Sequence, residues 1–487
     1  MIRSALALAL LVAAPLAAAE PPLNVLFVIS DDLNNDLSVY GHPLVRTPNL
    51  ERLAARGVRF DRAYCQYPVC NPSRASLMTG LYPDQTGVLE NSDNFRRHIP
   101  EVTTLPQLFR QSGYYAARVG KIYHYGVPTQ IGTDGVDDPA SWDERVNPAG
   151  RDKFDEYLIE SIAPHRSFGG TLSWLAADGR DGEQTDGIGA AAAIALLEKL
   201  EDRPFFLAMG FYRPHTPYVA PRSYFAQYPL ALVRPPVEPA DDLLDIPAAA
   251  WVQRPYQDEM GEAAKREAMR AYYAAISFVD AQLGKILDAL DRLGLAERTI
   301  VVFTSDHGYH MGEHRLWQKT TLFENSARVP LLIAAPGFES SRGKSTGAVA
   351  ELLDVYPTLA DLCGLEPPPH LVGRSLKPQL VDVNAPGKTA ALTTYVTRDR
   401  LHPGAPHRPT EQSYSVRTER WRYTEWGARG WQGVELYDHL HDPREFRNLA
   451  HDPDYAGEVR RMRDLLATRK AAAGQAAAIP EAADATR

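Results

Sequence analysis

Residues 24–32 read NVLFVISDD: a short apolar run, Asn24–Ser30, that closes on two adjacent acids, Asp31 and Asp32. A continuous run of this length, with no polar alternation, is how a strand buried on both faces reads. Both faces of such a strand need covering, so the run predicts an α/β fold, and its carboxyl end is where α/β proteins place their chemistry. Working outward, Thr47–Gly57 (TPNLERLAARG) has the marks of a capped helix, with Thr47 at the N-cap, Pro48 in the first turn and Gly57 as the stop. Thr104–Gly113 repeats that pattern ahead of a strand at Tyr115–Val119. Helix-and-strand pairs follow at Ala190–Leu200 with Pro204–Gly210 and at Met269–Leu293 with Thr299–Ser305, and then a strand at Val329–Ala335. This alternation predicts a large, mainly parallel sheet sandwiched by helices.

The chain has 487 residues and a formal net charge of −9, a balance that argues against nucleic-acid binding and against polybasic docking to a membrane. Residues 1–19 (MIRSALALALLVAAPLAAA) have the charged start, apolar run and small-residue end of a cleaved signal peptide, which predicts export to the periplasm or beyond. No later stretch approaches the ~20 apolar residues of a membrane span, so the mature chain is expected to lack an integral membrane segment. Residues 126–185 and 214–258, rich in Gly, Pro and Asp, read as long loops over the strand ends. The Pro- and His-containing stretch Leu401–Glu411 reads as a boundary: a catalytic α/β unit over 20–405, a smaller antiparallel α+β subdomain over 406–475, and a disordered tail over 476–487. In the subdomain, Ser413–Trp426 and Gly433–Asp438 read as strands under a charged helix from about Asp454 to Lys470. Cysteines are three (Cys65, Cys70, Cys363), so at least one is unpaired, and an odd thiol in an exported chain is either incidental or reactive.

Cys70 stands in the segment Cys70-Asn71-Pro72-Ser73-Arg74, continuing Ala75-Ser76-Leu77-Met78-Thr79-Gly80. Arg74 is one helical turn on and is placed to pin whatever group position 70 carries. Asp31-Asp32 and Asp306-His307 close two separate strands, and adjacent buried acids repel unless a cation joins them. Three further stretches bring cations and imidazoles: Lys121-Ile122-Tyr123-His124, Arg213-Pro214-His215-Thr216-Pro217, and Gly308 to Lys319 (GYHMGEHRLWQK).

Together these segments resemble the type I formylglycine-dependent sulfatase family of the alkaline phosphatase superfamily, over nearly the whole chain after the leader. In detail they are most similar to its iduronate-2-sulfatase-like branch, which has His at the position of His307 where many sulfatases have Asn. The resemblance implies an alkaline-phosphatase-like fold and a sulfuric ester hydrolase. It implies that a maturation enzyme oxidises Cys70 to 3-oxoalanine (formylglycine), whose hydrate is a geminal diol. It also implies a divalent metal, calcium in that family, held by Asp31, Asp32, Asp306, His307 and the oxygen at position 70, although nitrogen is an untypical calcium ligand. Lys121 and Lys319 then hold sulfate oxygens, His124 orients or deprotonates the diol, and His215 gives a proton to the departing alkoxide. His310 and His314 are expected in supporting roles.

A sulfate monoester is an anion, and an anionic nucleophile is repelled by it unless cations intervene. The second hydroxyl of a diol adds what serine lacks, since its collapse to the aldehyde expels sulfate. The branch points to an O-sulfated carbohydrate, a 2-O-sulfated uronic acid in particular. Two other classes stand beside it: a phosphonate monoester or phosphodiester hydrolase with the same core, and a non-catalytic carbohydrate binder, which has no need of Cys70, Arg74, Lys121, His124, His215 and Lys319 together.

Overall fold

The structure, a computed structural model, describes residues 22–251, 254–397 and 411–474. The expected signal peptide, the 405/406 boundary and the 476–487 tail lie outside the described residues. The main sheet has eight strands: β1 (Asn24–Asp31), β2 (Val58–Tyr64), β3 (Tyr115–Gly120), β4 (Glu144–Val146), β5 (Phe205–Pro214), β6 (Thr299–Ser305), β7 (Arg328–Ala334) and β8 (Lys344–Glu351). Their order across the sheet is β8-β2-β7-β6-β1-β5-β3-β4. The opening run is central, parallel to β5 on one side and β6 on the other, and every residue of it is buried. Only β7 runs antiparallel to its neighbours. The reason is local: the chain leaving β6 stays at the carboxyl edge through residues 306–327, so the next strand must run back.

Helices cover both faces. On one lie α1 (Pro48–Arg56), α4 (Thr185–Lys199) and the 31-residue α5 (Glu262–Arg292); on the other lie α2 (Cys70–Thr79), α3 (Leu105–Gln111) and α6 (Val355–Leu362). These two layers give two large apolar clusters, one built around Leu26 and Val28 and the other around Val25, Phe27 and Ile29. The side chains of β1 alternate between them, as a strand period of two requires. The fold expected from the sequence is the one observed.

Some local expectations are corrected. Thr47 does not cap α1 with its side chain; its hydroxyl pairs with Ser38, and the Asp280 carboxylate of α5 accepts the N–H groups of Asn49 and Leu50 instead. A carboxylate answers the positive helix end better than a hydroxyl does, which is why the long-range cap wins. α3, by contrast, has a Thr104/Gln107 capping box. The stretches expected as loops hold structure: β4 extends the main sheet, and Glu160–Ser161, Ser173–Ala177 and Tyr218–Pro221 form a three-stranded sheet between the two insertions.

The C-terminal sheet is antiparallel: β9 (Ala391–Thr397), β10 (Glu411–Arg417), β11 (Trp421–Trp426) and β12 (Gly433–Asp438), with α7 (Ala456–Ala473) packed on it through Val459, Met462 and Leu466. Its first strand precedes the expected boundary stretch. Trp142, Trp174 and Trp426 are buried packing residues. Among the described residues, no helix is long and apolar enough to cross a membrane.

Candidate active site

Ser30 of β1 lies opposite Ser305 of β6, so the acids that follow each strand emerge side by side. Asp32 has a left-handed backbone (φ 62°), an uncommon state for a residue with a side chain. It is held there from two sides: its N–H donates to Asp306 Oδ1 (3.1 Å), and Tyr272 of α5 donates its hydroxyl to the Asp32 carbonyl (2.8 Å). The carboxylate is thereby turned toward α2.

Cys70 is the first residue of α2, so its thiol sits at a helix N-terminus, where the backbone favours negative charge. Its Sγ marks the place that diol oxygens would take in a formylglycine hydrate. Lys319 Nζ is 3.0 Å away, His307 Nε2 3.4 Å and Asp32 Oδ1 3.7 Å. Burial alone pushes this thiol up, but Lys319 and Lys121 overcome it and hold Cys70 well below the ordinary thiol range. Cys65, five residues earlier, has no such company, and burial pushes it up. All three cysteines are free, so Cys70 is not half of a disulfide.

Arg74 is fully buried, close enough to feel the charge at Cys70, and its hydrogen bonds go to the surrounding frame. Nε donates to Asp306 Oδ2 (2.9 Å), Nη2 to Asp31 Oδ1 (3.0 Å), and Nη1 to the carbonyls of Lys121 and Ile122 (2.7 and 2.9 Å). These bonds brace two carboxylates and the turn after β3, while Lys319 makes the direct contact with the sulfur. The planar guanidinium fork suits two separate acids better than one point of charge. Ser73 joins the same frame, its hydroxyl donating to the Asp306 carbonyl.

Both lysines rest on the acids: Lys121 Nζ on Asp31 Oδ2 (2.6 Å), Lys319 Nζ on Asp32 Oδ1. Burial raises the Asp31 carboxyl, but Lys121 leads the charges that bring it below its ordinary value. Asp306 is likewise held low against burial, chiefly by Arg74. Asp32 goes the other way: burial raises it, and the Cys70 charge adds to that. Burial lowers His307, yet the Asp306 carboxylate lifts it to about 9.

His124 and His215 are both 7% exposed. Burial holds His124 below the ordinary imidazole value against a hydrogen bond with Cys70, and its Nδ1 has no partner among the described residues. His215 Nδ1 lies 2.6 Å from the Thr216 carbonyl, which fixes that nitrogen as the donor and aims Nε2 at Asp32 Oδ2, 3.7 Å away. Two acids that sequence reasoning passed over pin this loop. Asp186 accepts the N–H groups of Tyr212 and Arg213 (2.9 and 3.0 Å), and Asp152 pairs with the buried Arg213 guanidinium (2.6 Å). Tyr272 was passed over as well. A tyrosine within a long helix, an acid in a polar insertion and an acid in the first turn of α4 carry no local signal of such contacts.

The structure thus brings together all ten residues expected at the site. One ligand atom each from Asp32, Cys70, Asp306 and His307 lies within 4.8 Å of the others, and the same holds for Asp31, Asp32, Cys70 and His215. His307 Nδ1 is 2.9 Å from the Gly308 carbonyl, so that nitrogen donates and Nε2 faces the cluster, where a cation displacing its proton would find a lone pair. Three buried carboxylates and one oriented imidazole are a fitting donor set for a divalent cation.

Residues 23–365 match the sulfatase family, and residues 312–472 match the C-terminal region of N-sulphoglucosamine sulphohydrolase. The chain belongs to the sulfatase family. It is 32% identical to a sulfatase of Formosa agariphila, over 91% of this chain and 86% of that one. It is 30% identical to the iduronate 2-sulfatase of Mus musculus, over 91% and 94% respectively. Among solved structures, the phosphonate monoester hydrolase of Agrobacterium radiobacter superposes with a TM-score of 0.76 at 25% identity, covering 93% of this chain and 96% of that one. This sulfatase is therefore a sulfuric ester hydrolase, and the fold expected from the resemblance is present. Sulfatases generally use a metal and a formylglycine, and this chain holds a buried cluster of acids, imidazole and cysteine.

Proposed function

We propose that this sulfatase removes O-sulfate from a carbohydrate, with a 2-O-sulfated uronic acid as the substrate, after export and after conversion of Cys70 to formylglycine. The observation that carries the reading is the setting of Cys70: a buried group at a helix N-terminus, met by Lys319 at 3.0 Å and flanked by Asp32 and His307. The 30% identity to an iduronate 2-sulfatase over nine-tenths of the chain supports the choice of sugar. Asp31, Asp32, Asp306 and His307 would hold the divalent cation, calcium by analogy with the family, which would lower the pKa of the nucleophilic oxygen and offset charge on the ester. A hydrated aldehyde at position 70 would supply one oxygen to attack sulfur and a second whose collapse releases sulfate.

The chain's own residues do the rest. Lys121 and Lys319 are ammonium groups on flexible stems, able to pass from the acids to the oxygens of an arriving sulfate. Arg74 keeps Asp31 and Asp306 in place while they do so. His215, with its Nδ1 proton committed to Thr216, delivers a proton from Nε2 to the departing sugar oxygen. His124 lies against position 70 and takes a proton from it. Peptide mass spectrometry of the exported protein should show position 70 lacking its thiol, and defined 2-O-sulfated disaccharides should be desulfated faster than 6-O-sulfated ones. Retention of an unmodified Cys70 in fully active protein would sink the proposal.

The likeness to a phosphonate monoester hydrolase favours a second reading with the same core. Matched aryl sulfate and aryl phosphonate esters decide between them: faster phosphonate turnover would replace the first reading with the second.

A further inference from the structure

A second buried group of ligand atoms lies behind the Lys319 loop. Glu238 and Asp242 come from the insertion after β5, and His314 from the chain between β6 and β7. One ligand atom of each lies within 4.8 Å of the other two. Asp242 and His314 are buried and paired, with Nδ1 3.1 and 3.2 Å from the two carboxylate oxygens. The Glu238 side chain is 8% exposed; its polar neighbours are the Asp242 carboxylate and the His314 backbone N–H, neither of its oxygens makes a well-formed hydrogen bond, and His314 Nε2 has no partner among the described residues. The nearest cation, Arg444 Nη2, stands 3.7 Å from Glu238 Oε1, outside hydrogen-bond reach, and donates to the Val237 carbonyl.

Buried carboxylate oxygens left without donors cost free energy unless a ligand or a proton meets them. Burial, with the Asp242 charge beside it, pushes Glu238 up to about 7 despite His314. Glu313, partly buried, is also raised to about 7, by burial and by Asp36, while Lys265 and Arg315 line the same cavity as Glu238. A cavity of about 290 Å³ lined by Glu238, Gln257, Lys265, Arg315 and Trp317, though not by Asp242 or His314, reaches the Glu238 side of the cluster. The imidazole is held in place for ligation: Phe323 stacks on its ring at 4.3 Å, and Trp251 Nε1 donates to the His314 carbonyl (2.8 Å).

We propose that Glu238, Asp242 and His314 bind a second divalent cation, a borderline ion of the zinc and manganese kind, that ties the insertion after β5 to the loop carrying Lys319. Two carboxylates balance the charge of one such ion, and an imidazole nitrogen in the set selects a borderline ion over calcium. The loop it anchors is one that needs anchoring. His314, Arg315, Gln318 and Thr320 all have positive φ, so the path to Lys319 is strained at four places and persists only where its surroundings hold it.

The test uses the whole mature protein, stripped with a chelator, returned to excess calcium at neutral pH and then titrated with zinc chloride. Crystals of the wild type, measured at the zinc edge, should show an anomalous peak between Glu238 and His314, and solution binding should reach one tight zinc per chain. The Glu238→Gln/Asp242→Asn double variant should lose that zinc, with affinity down about a hundredfold or more. No peak at saturating zinc, or equal binding by the variant, would show that a shared proton occupies the site and would overturn the proposal. If the variant does not fold, the wild-type diffraction experiment decides alone.

Discussion

Two clusters of buried charge in this molecule look alike in composition and differ in how the charges are answered. Around Cys70 stand Asp31, Asp32, Asp306 and His307, with Arg74, Lys121 and Lys319 as counter-charges. Where the C-terminal sheet meets the main domain stand Glu324, Glu445 and His439, with Arg417 and Arg422. There, Arg422 spans both glutamates, His439 adds a second contact to Glu445 (2.9 Å), Arg417 adds one to Glu324 (3.1 Å), and Tyr64 donates to the other Glu324 oxygen (3.0 Å). Burial raises Glu445, but Arg422 brings it down to about 2, and Glu324 is held well below its ordinary value as well. Each acid is answered by rigid guanidinium forks. At the Cys70 cluster only Arg74 is of that kind, while the other two cations are lysines and Asp32 remains raised above its usual value. A structural cluster uses contacts that cannot be exchanged; a working one keeps a fixed frame and two movable cations.

The sharpest break between the two is expected at position 70. Cys70→Ser should fold with an unchanged melting temperature and still bind a divalent cation, because the acids and Arg74 are intact. Turnover of a sulfate ester should fall by about a thousandfold or more, as for removal of other covalent nucleophiles. Near-wild-type rates in that variant would remove the diol mechanism and, with it, the contrast.

Next in size is Arg422→Met, which strands Glu324 and Glu445 in the interior. Breaking one side of a buried ion pair costs about 3–5 kcal/mol, so the melting temperature should drop while kcat of the folded fraction stays unchanged. The same cluster predicts an acid limb. Glu445 is lowered from 4.5 to about 2 in the fold, so it binds fewer protons there than in the unfolded chain. Its contribution to stability is full above pH ~4.5 and is lost as pH falls toward 2. Thermal melts across that window should fall for the wild type and flatten for Arg422→Met.

Much of the Cys70 cluster was legible because its parts lie next to signals a sequence carries openly. Asp31-Asp32 and Asp306-His307 follow apolar strands, and Cys70 opens a segment dense in small residues. What stayed hidden is what holds those parts still. Asp280 caps α1 across 231 positions, and Tyr272 reaches Asp32 across 240; neither leaves a periodicity or a neighbour to betray it. Asp152, in a polar insertion, and Asp186, in the first turn of α4, are both buried against the His215 loop. The bonds of Arg74 to Asp31, Asp306 and the turn after β3 stayed hidden too, because spacing along a helix gives direction and not every partner in reach. The opposing cluster was not legible as a unit at all, since Glu324, Arg422 and Glu445 meet only once the C-terminal sheet docks.

The smallest effect is a matched pair of hydroxyl deletions, one in each cluster. Tyr64→Phe removes a single bond to Glu324, and Tyr272→Phe removes the bond to the Asp32 carbonyl together with the acceptor for the Asn34 N–H (2.9 Å). Each loss should cost about 1 kcal/mol of stability, the net worth of an ordinary hydrogen bond. Activity should separate them. Glu324 is held by two arginines whether or not Tyr64 helps, so Tyr64→Phe should leave kcat where it was. Asp32 sits in a left-handed backbone state that Tyr272 helps to hold, and a small relaxation there moves its carboxylate relative to Lys319 and position 70. A drop in kcat of about tenfold with KM little changed is expected for Tyr272→Phe, in line with the sensitivity of reacting groups to sub-ångström displacement. Equal kcat in the two variants would mean that Asp32 is held by the strand ends alone and that the frame of the working cluster is as redundant as that of the structural one.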